Sequence, residues 1–241
     1  GDSKPQKQFW GISCQLYTLR SSRNWGIGDF TDLAELVKRS SAFGVDLICL
    51  NPLHAPHIAG ADFASPYSPS DRRFLNPLYI DPEKVPDFND NSALQESFTT
   101  PSHKQKLDQL RSASLVDHDA VAALKYPVFE QMFQFFVQQH LQQGSDRARA
   151  FNDFVECSGE PLQTFSHFEA QHSGLLFGHA RDPRFHQYLQ WLTDGQLRQC
   201  QNLALARGMD IGLMGDLAVG AVKGGAEVEG SEGLFCSEAS I

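Results

Sequence analysis

The chain has 241 residues, 41% of them hydrophobic, so it can bury a large core in one domain or in a domain with an insertion. Acidic residues outnumber lysine and arginine by 29 to 20, which gives a formal net charge of -9. No basic run is longer than a pair, so we exclude nucleic acid and anionic membranes as expected partners and favour a neutral ligand.

Cysteine usage points to a reducing compartment. The five cysteines are odd in number and widely spaced: Cys14, Cys49, Cys157, Cys200 and Cys236. We predict free, mostly buried thiols and a cytoplasmic location. No CxxC pair and no zinc-like grouping of histidine and cysteine occurs, so we expect no metal site. No apolar stretch approaches the length that spans a bilayer.

The first elements predict a β-α-β unit. The segment from Phe9 to Leu19 is rich in aromatic and β-favouring residues, which is typical of a strand. Asp29 or Thr31 can cap a helix that runs from Phe30 to Phe43. The segment from Val45 to Leu50 predicts a second strand, parallel to the first because a helical crossover joins them.

A proline-rich loop follows the second strand. It reads SPYSPSDRR from Ser65 to Arg73 and continues as FLNPLYID to Asp81. Three prolines and a cluster of polar residues exclude a regular element here. The loop hangs from the carboxyl end of a strand, where α/β proteins build their active sites, so we expect it to carry function.

The middle of the chain predicts helices. One helix is expected from Pro127 to Gln143, a second from near Ser145, and a third from about Leu162 to Gln171. Together they predict a helical insertion over residues 95–181.

The last part predicts a long helix and a third strand. The helix begins at Asp182 and Pro183 and stops at Gly208, with Gly195 as a point where it can bend or split. The segment from Asp210 to Gly220 has the composition of a buried strand that ends in a glycine-rich loop.

Five side chains are candidates for function, each with a structural alternative. Asp216, at the end of the third strand, either contacts a ligand or caps a turn. Tyr67 either stacks on a sugar ring or lies in the core. Asp29 is a helix cap first and a ligand second. His54 and His57 can bind a polar ligand, although a loop pair of this kind is more often incidental.

Two common catalytic motifs are missing. The sequence has no GxSxG nucleophile elbow, and its GIG run lacks the lysine and the spacing of a phosphate loop. Position in the chain therefore favours a sugar or another neutral ligand at the head of an α/β sheet.

Four segments carry a resemblance to a known family. They are QLYTLRSSRNWGIGDFTDL from Gln15, NPLHA from Asn51, SPYSPSDRRFLNPLYID from Ser65 and GLMGDLAVG from Gly212. Together, and in this order and spacing, they resemble the 4-α-glucanotransferases of glycoside hydrolase family 77, also called amylomaltases or disproportionating enzymes. The match covers nearly the whole chain.

The resemblance implies a fold and an activity. Members of that family fold as a (β/α)8 TIM barrel with inserted subdomains, so we expect an α/β fold with about the first three barrel strands and a helical insertion between strands 2 and 3. They transfer α-1,4-glucan segments between maltooligosaccharides by a retaining mechanism, in maltodextrin or glycogen metabolism, with no metal or organic cofactor. The expected partner is thus a maltooligosaccharide or another α-1,4-glucan.

The resemblance also assigns three substrate-binding residues. Tyr67 with Ser65 would match the family's SPY element, whose tyrosine packs against the donor sugar beside the cleaved bond. Asp216 would match the carboxylate at the end of the third barrel strand, which orients neighbouring groups and contacts substrate. Asn76 would be structural and hold the loop.

The sequence departs from the family in its catalytic acids. Retaining transfer needs two carboxylates about 5 Å apart, a nucleophile and a general acid/base. The family's Arg-x-Asp-His and Thr-His-Asp runs do not occur in the chain. We therefore predict no catalytic residue here, a chain that is inactive alone, and a fragment of a larger enzyme. The alternatives are an α-amylase-like hydrolase and a noncatalytic carbohydrate-binding fragment.

These inferences divide the chain into three segments. Residues 1–94 would hold the first β-α-β unit and the substrate loop, residues 95–181 the helical insertion, and residues 182–241 the long helix, the third strand and the loop after it.

Overall fold

The computed structural model describes residues 8–57, 65–172 and 181–231, and it has the expected α/β fold. The strands are β1 (Gly11–Cys14), β2 (Leu47–Leu50), β3 (His54–Pro56), β4 (Pro69–Leu75) and β5 (Gly212–Gly215). The helices are α1 (Phe30–Ser41), α2 (Pro86–Asn89), α3 (Ser92–Phe98), α4 (Pro101–Ser112), α5 (His118–Phe136), α6 (Asp146–His172), α7 (Pro183–Ala206) and α8 (Ala226–Glu229). Short 3-10 helices cover Leu16–Thr18, Pro77–Tyr79 and Pro82–Lys84, and a π-helical turn covers Val137–Leu141.

Three strands form a parallel sheet in the order β1-β2-β5. Ile12 lies opposite Ile48, which in turn lies opposite Leu213. Helix α1 connects β1 to β2, so the predicted β-α-β unit is confirmed. The predicted first strand, from Phe9 to Leu19, was too long. The observed strand β1 ends at Cys14, and the chain continues as the 3-10 helix Leu16–Thr18.

Helix α1 begins with a capping box. The Asp29 carboxylate accepts hydrogen bonds from the backbone N–H groups of Thr31 (2.9 Å) and Asp32 (3.0 Å), and the Asp32 carboxylate accepts from the Asp29 N–H (3.2 Å). These bonds satisfy donors that the first turn of a helix leaves open. The interpretation of Asp29 as a helix cap is confirmed.

The proline-rich loop contains a strand, so the exclusion of a regular element was wrong. Strand β4 pairs with β3 in an antiparallel hairpin, and Pro69 is its first residue. Proline is tolerated at that position because it has no N–H to donate. Ser70 and Asp71 are fully buried, but Ser70 Oγ accepts from the Ala226 N–H (2.9 Å) and Asp71 accepts from its neighbour Arg73.

The helical middle segment differs in detail from the prediction. Helix α5 begins at His118, capped by Asp117, and Pro127 lies inside it. Helix α6 spans both of the later predicted helices and is bent at Gly159, which has φ +61°. A positive φ is favoured by glycine, so the break between the two predicted helices is a sharp bend.

The long helix is confirmed and the third strand is confirmed in part. Asp182 caps α7, which has proline at its first position and continues without a break through Gly195. Strand β5 follows, but Met214 is 49% exposed, so the expected burial was wrong. The reason is that β5 is an edge of the sheet among the described strands.

The free thiols are confirmed where the structure describes them. Cys14, Cys49, Cys157 and Cys200 are unpaired. Cys200 is buried, whereas Cys157 lies exposed on α6, so its expected burial was wrong. Cys236 lies outside the described residues.

One hydrophobic core runs from the sheet into the helices of the middle segment. It contains Trp25 from the first β-α connection, Ile48 from β2, Phe129 from α5 and Tyr188 from α7, each with no exposed surface. The division of the chain into three segments stays a prediction.

A buried ion cluster joins distant parts of this fold. The Arg23 guanidinium bonds to Asp29, Asp32 (3.1 Å) and Asp81 (2.8 Å), whose carboxylates are all less than a tenth exposed. Because Asp81 follows the second 3-10 helix, the cluster ties that turn to the start of α1. A buried carboxylate without a partner lowers the stability of the folded state, so the fold needs the Arg23 guanidinium at this position.

We expect Arg23→Met to destabilise the protein by roughly 3–5 kcal/mol, because it leaves three buried carboxylates without their cation. Melting followed by circular dichroism measures the loss. Arg20→Met is the matched control, since Arg20 is exposed, and it should melt like the unaltered protein. Equal melting temperatures for the two variants would contradict the role given to the cluster.

Candidate functional site

The carboxyl ends of the three parallel strands meet at one edge of the sheet. From that edge leave the 3-10 helix after β1, the Asn51–Pro52 turn after β2 and the loop that begins with Asp216 after β5. The β3–β4 hairpin lies beside the same edge, because its residues bond to the loop after β5. This is the place where α/β proteins bind ligands.

Asn51 holds two of these segments together. Its Oδ1 accepts from the Leu16 N–H (2.8 Å), and its Nδ2 donates to the Pro52 carbonyl (2.8 Å) and to the Tyr79 hydroxyl (3.3 Å). Burial raises the pKa of Tyr79, so its hydroxyl stays protonated. From the sequence, Asn51 was noted only as the first residue of the NPLHA segment. An asparagine directly after a buried strand can nevertheless indicate a side chain that hydrogen-bonds to nearby backbone.

A narrow cleft opens beside Asn51. Aromatic, proline and polar side chains line it: Tyr17, Pro52, His54, Ser65, Asn76, Tyr79 and His118. The rings of Tyr17 and His118 are 5.9 Å apart between centroids. Asn76 accepts from the Leu78 N–H (2.9 Å) and so holds the turn, which is the structural role expected for it.

Tyr67 follows Ser65 and Pro66, which line this cleft. Its side chain is 57% exposed, so the alternative of a core tyrosine was wrong. The Tyr67 N–H donates to Oγ of Ser65 (3.4 Å), which lines the cleft. Ser65 thus lines the cleft, and the side chain of Tyr67 beside it is exposed.

Asp216 is the first residue after β5 and is exposed. Among the described residues, no group donates a hydrogen bond to its carboxylate, so the alternative of a turn cap was wrong. The structure does bring it near His54. Burial, together with the charge of Arg72, lowers the pKa of His54 below its usual value, and Asp216 opposes that effect only in part.

An arginine–carboxylate pair fixes the loop after β5. The Arg72 guanidinium bonds to both oxygens of Glu227 (Nε to Oε1 and to Oε2, each 3.1 Å) and from Nη1 to the Val219 carbonyl (3.1 Å). This pairing lowers the pKa of Glu227. Sequence reasoning missed Glu227, because 155 residues separate it from Arg72 and no local pattern links them.

The remaining candidates do not join the site. The Asp29 carboxylate is bonded to the first turn of α1 and to Arg23. The ring of His57 packs near Phe168 of α6, with 6.4 Å between the ring centroids. In the part of the chain that the structure describes, no group of three or more histidine, cysteine or acidic side chains is placed to hold a metal ion. No described helix is both long and apolar enough to cross a membrane.

An exposed aromatic ring at Tyr67, an open carboxylate at Asp216 and the cleft beside Asn51 lie near the ends of the parallel strands of this α/β fold, and we call this region the groove. The sequence model of glycoside hydrolase family 77, described as 4-alpha-glucanotransferase, matches residues 14–176 and 177–241. The chain belongs to this family.

Curated relatives and solved structures agree with the assignment. A 4-alpha-glucanotransferase of Haemophilus influenzae is 36% identical over 266 residues, which is 98% of this chain and 38% of that protein. One from Mycobacterium tuberculosis is 34% identical, over 94% of this chain and 34% of that protein. The chain thus spans a little over a third of the length of these relatives.

Two solved structures are similar. The crystal structure of an amylomaltase from Corynebacterium glutamicum aligns with a TM-score of 0.78 and 31% identity, over 92% of this chain and 32% of that one. An amylomaltase from Streptococcus agalactiae in complex with acarbose aligns with a TM-score of 0.64 and 17% identity, over 92% and 45%. The second likeness shows the fold alone.

We expect Asn51→Leu to open the groove wall locally, because the Leu16 N–H and the Pro52 carbonyl lose their partner. An unmade buried hydrogen bond corresponds to about 10- to 100-fold faster amide exchange at Leu16. Hydrogen exchange read by mass spectrometry or NMR measures it. Gln15→Ala is the control at the exposed neighbour and should leave Leu16 protected. Unchanged protection in Asn51→Leu would count against the role of Asn51.

Proposed function

We propose that the protein containing this chain is a 4-α-glucanotransferase, which moves α-1,4-glucan segments between maltooligosaccharides, and that this chain supplies part of its donor-side substrate site. The observation that carries the proposal is the exposed Tyr67 side chain, whose backbone N–H donates to Ser65, a residue that lines the cleft at the strand ends. A sugar ring has an apolar face that suits an aromatic platform, and hydroxyls that suit an open carboxylate such as Asp216.

The relatives support this activity. Relatives that are 34–36% identical carry the name 4-alpha-glucanotransferase, and an amylomaltase of the same fold was solved in complex with acarbose. We infer that the sheet β1-β2-β5 is the first three strands of a (β/α)8 barrel, because a barrel adds parallel strands in chain order. The four unpaired cysteines support a cytoplasmic location.

We place the catalytic pair of a retaining double displacement outside these residues. Such a pair needs two carboxylates about 5 Å apart at the cleaved bond. Near the groove, Asp71 is bonded by Arg73 and Glu227 by Arg72, so each is already neutralised. Asp216 is left as a single open carboxylate, which fits contact with a sugar hydroxyl better than attack.

Transfer from maltotriose tests the proposed activity. The full-length enzyme that contains this chain should convert maltotriose into glucose together with maltopentaose and longer products, because a retaining transferase passes its glycosyl group to another sugar. Chromatography of the products measures this. Hydrolysis to glucose and maltose without longer products would favour an amylase-like hydrolase. Binding without turnover would favour a noncatalytic carbohydrate-binding protein.

A substitution of Tyr67 tests the platform. Tyr67→Ala should raise KM for maltotriose about tenfold, since it removes the apolar contact with the sugar ring, whereas Tyr67→Phe keeps that contact and should stay within about twofold. The matched control is Phe43→Ala, which removes a ring that is 79% exposed just before β2, at the opposite end of the strand from the groove. An unchanged KM in Tyr67→Ala would remove Tyr67 from the site.

A further inference from the structure

The loop that carries Asp216 is bonded to both strands of the β3–β4 hairpin. Arg72 of β4 donates to the carbonyls of Val219 (3.1 Å) and Ala218 (3.5 Å), and the Pro69 carbonyl of β4 accepts from the Val222 N–H (2.9 Å). The Ala218 N–H donates to Nε2 of His54 (3.2 Å), the first residue of β3. The Asp216 carboxylate has no hydrogen bond or ion pair with any described residue, so its position is set by the end of β5 before it and by these contacts after it.

The bond from Ala218 fixes the chemical state of His54. A ring nitrogen accepts a hydrogen bond only when it carries no proton, so His54 must be neutral with its proton on Nδ1. Protonation would place an N–H at Nε2 opposite the Ala218 N–H, and two donors cannot bond to each other. The hydrogen bond from the Ala218 N–H to His54, which we call the tether, therefore exists only while His54 is neutral.

Charged groups surround His54 from each element packed against it. They are Arg72 and Asp71 of β4, Glu227 of α8 and Asp216 after β5, and on the cleft side lie Tyr17, Tyr79 and His118. Burial and Arg72 lower the pKa of His54, and the carboxylates oppose them only in part. His54 is thus neutral at neutral pH and takes up a proton below its usual value of 6.5.

We propose that His54 is a positioning residue for substrate binding, whose neutral imidazole holds the loop that presents Asp216 at Ala218 and whose protonation breaks that bond and loosens the loop there. This rests on the proposed function, because the substrate contact of Asp216 is part of it. Binding is complete while His54 is neutral and weakens as the pH falls through its pKa. Arg72 stays charged throughout and cannot supply this dependence.

Steady-state transfer from maltotriose by the full-length enzyme, between about pH 5 and pH 8, tests the proposal. KM of the unaltered enzyme should rise on the acid side by about fivefold to tenfold, the effect of one lost positioning hydrogen bond. In His54→Gln an amide oxygen can accept the Ala218 N–H and does not titrate, so that rise should disappear. In His54→Leu, KM should be high at every pH.

The control is His167→Gln on the exposed side of α6, which should keep the acid rise in KM. Titration of the catalytic pair would affect kcat and KM of every variant alike, so the difference in KM between variants reports the tether. The same acid rise in His54→Gln as in the unaltered enzyme overturns the proposal, and so does an unaltered KM in His54→Leu.

Amide exchange at Ala218 separates this proposal from the proposed function, because it needs no turnover. The protection factor at Ala218 should fall about tenfold from pH 8 to pH 5 in the unaltered protein and stay constant in His54→Gln. A protection factor that does not change with pH overturns the proposal whatever the activity. Loss of protection in an enzyme that fails to transfer glucan supports the tether and contradicts the proposed function instead.

Discussion

The half-buried guanidinium of Arg23 makes the contact on which the shape of the groove depends. It joins Asp29 and Asp32, at the start of α1, to Asp81, which lies 49 residues or more further along the chain. The three buried carboxylates share the hydrogen bonds of this guanidinium and cannot separate without losing them in the interior, so the segments that carry them move as one. Asp81 follows the turn that carries Tyr79, and Tyr79 in turn bonds to Asn51 at the strand ends.

The polar groups around the groove fall into two kinds. Asn51, Arg72 and Glu227 have their hydrogen-bonding atoms engaged within the chain, and they fix backbone. Tyr67 and Asp216 have side chains that bond to no described residue and are exposed. A side chain whose hydrogen bonds are made within the chain has few bonds left for a ligand, whereas an exposed side chain without such bonds can make them with a ligand. This distinction, more than residue type, separates the frame of the site from the residues that can bind sugar.

The parts of the structure that follow local rules could be predicted from the sequence. Capping residues and periodic apolar positions located α1 and α7, and the position of Asp216 followed from the parallel strands. Strand β4 could not be predicted, because its proline and polar residues argue against a strand until their buried partners are known. The bond between Arg72 and Glu227 joins residues far apart in sequence, so only the fold reveals it.

Helices outside the groove hold its wall in place. Gln190 of α7 bonds to both the N–H (2.9 Å) and the carbonyl (2.7 Å) of Leu75. Gln196, six positions later, makes the same pair of bonds with Asp81 (both 2.9 Å).

Each glutamine amide thus pairs with a backbone N–H and carbonyl as a neighbouring strand would, one at each end of the segment from Leu75 to Asp81. Between those ends, the buried ammonium of Lys125 donates to the carbonyls of Leu78 (2.6 Å) and Ile80 (2.7 Å). Burial lowers the pKa of Lys125 to about 8, while Asp29 and Asp81 oppose that effect. The segment from Leu75 to Asp81 looks irregular in sequence, but hydrogen bonds from α5 and α7 fix its backbone. The exposed residues of the groove therefore stand beside a backbone that these bonds hold in place.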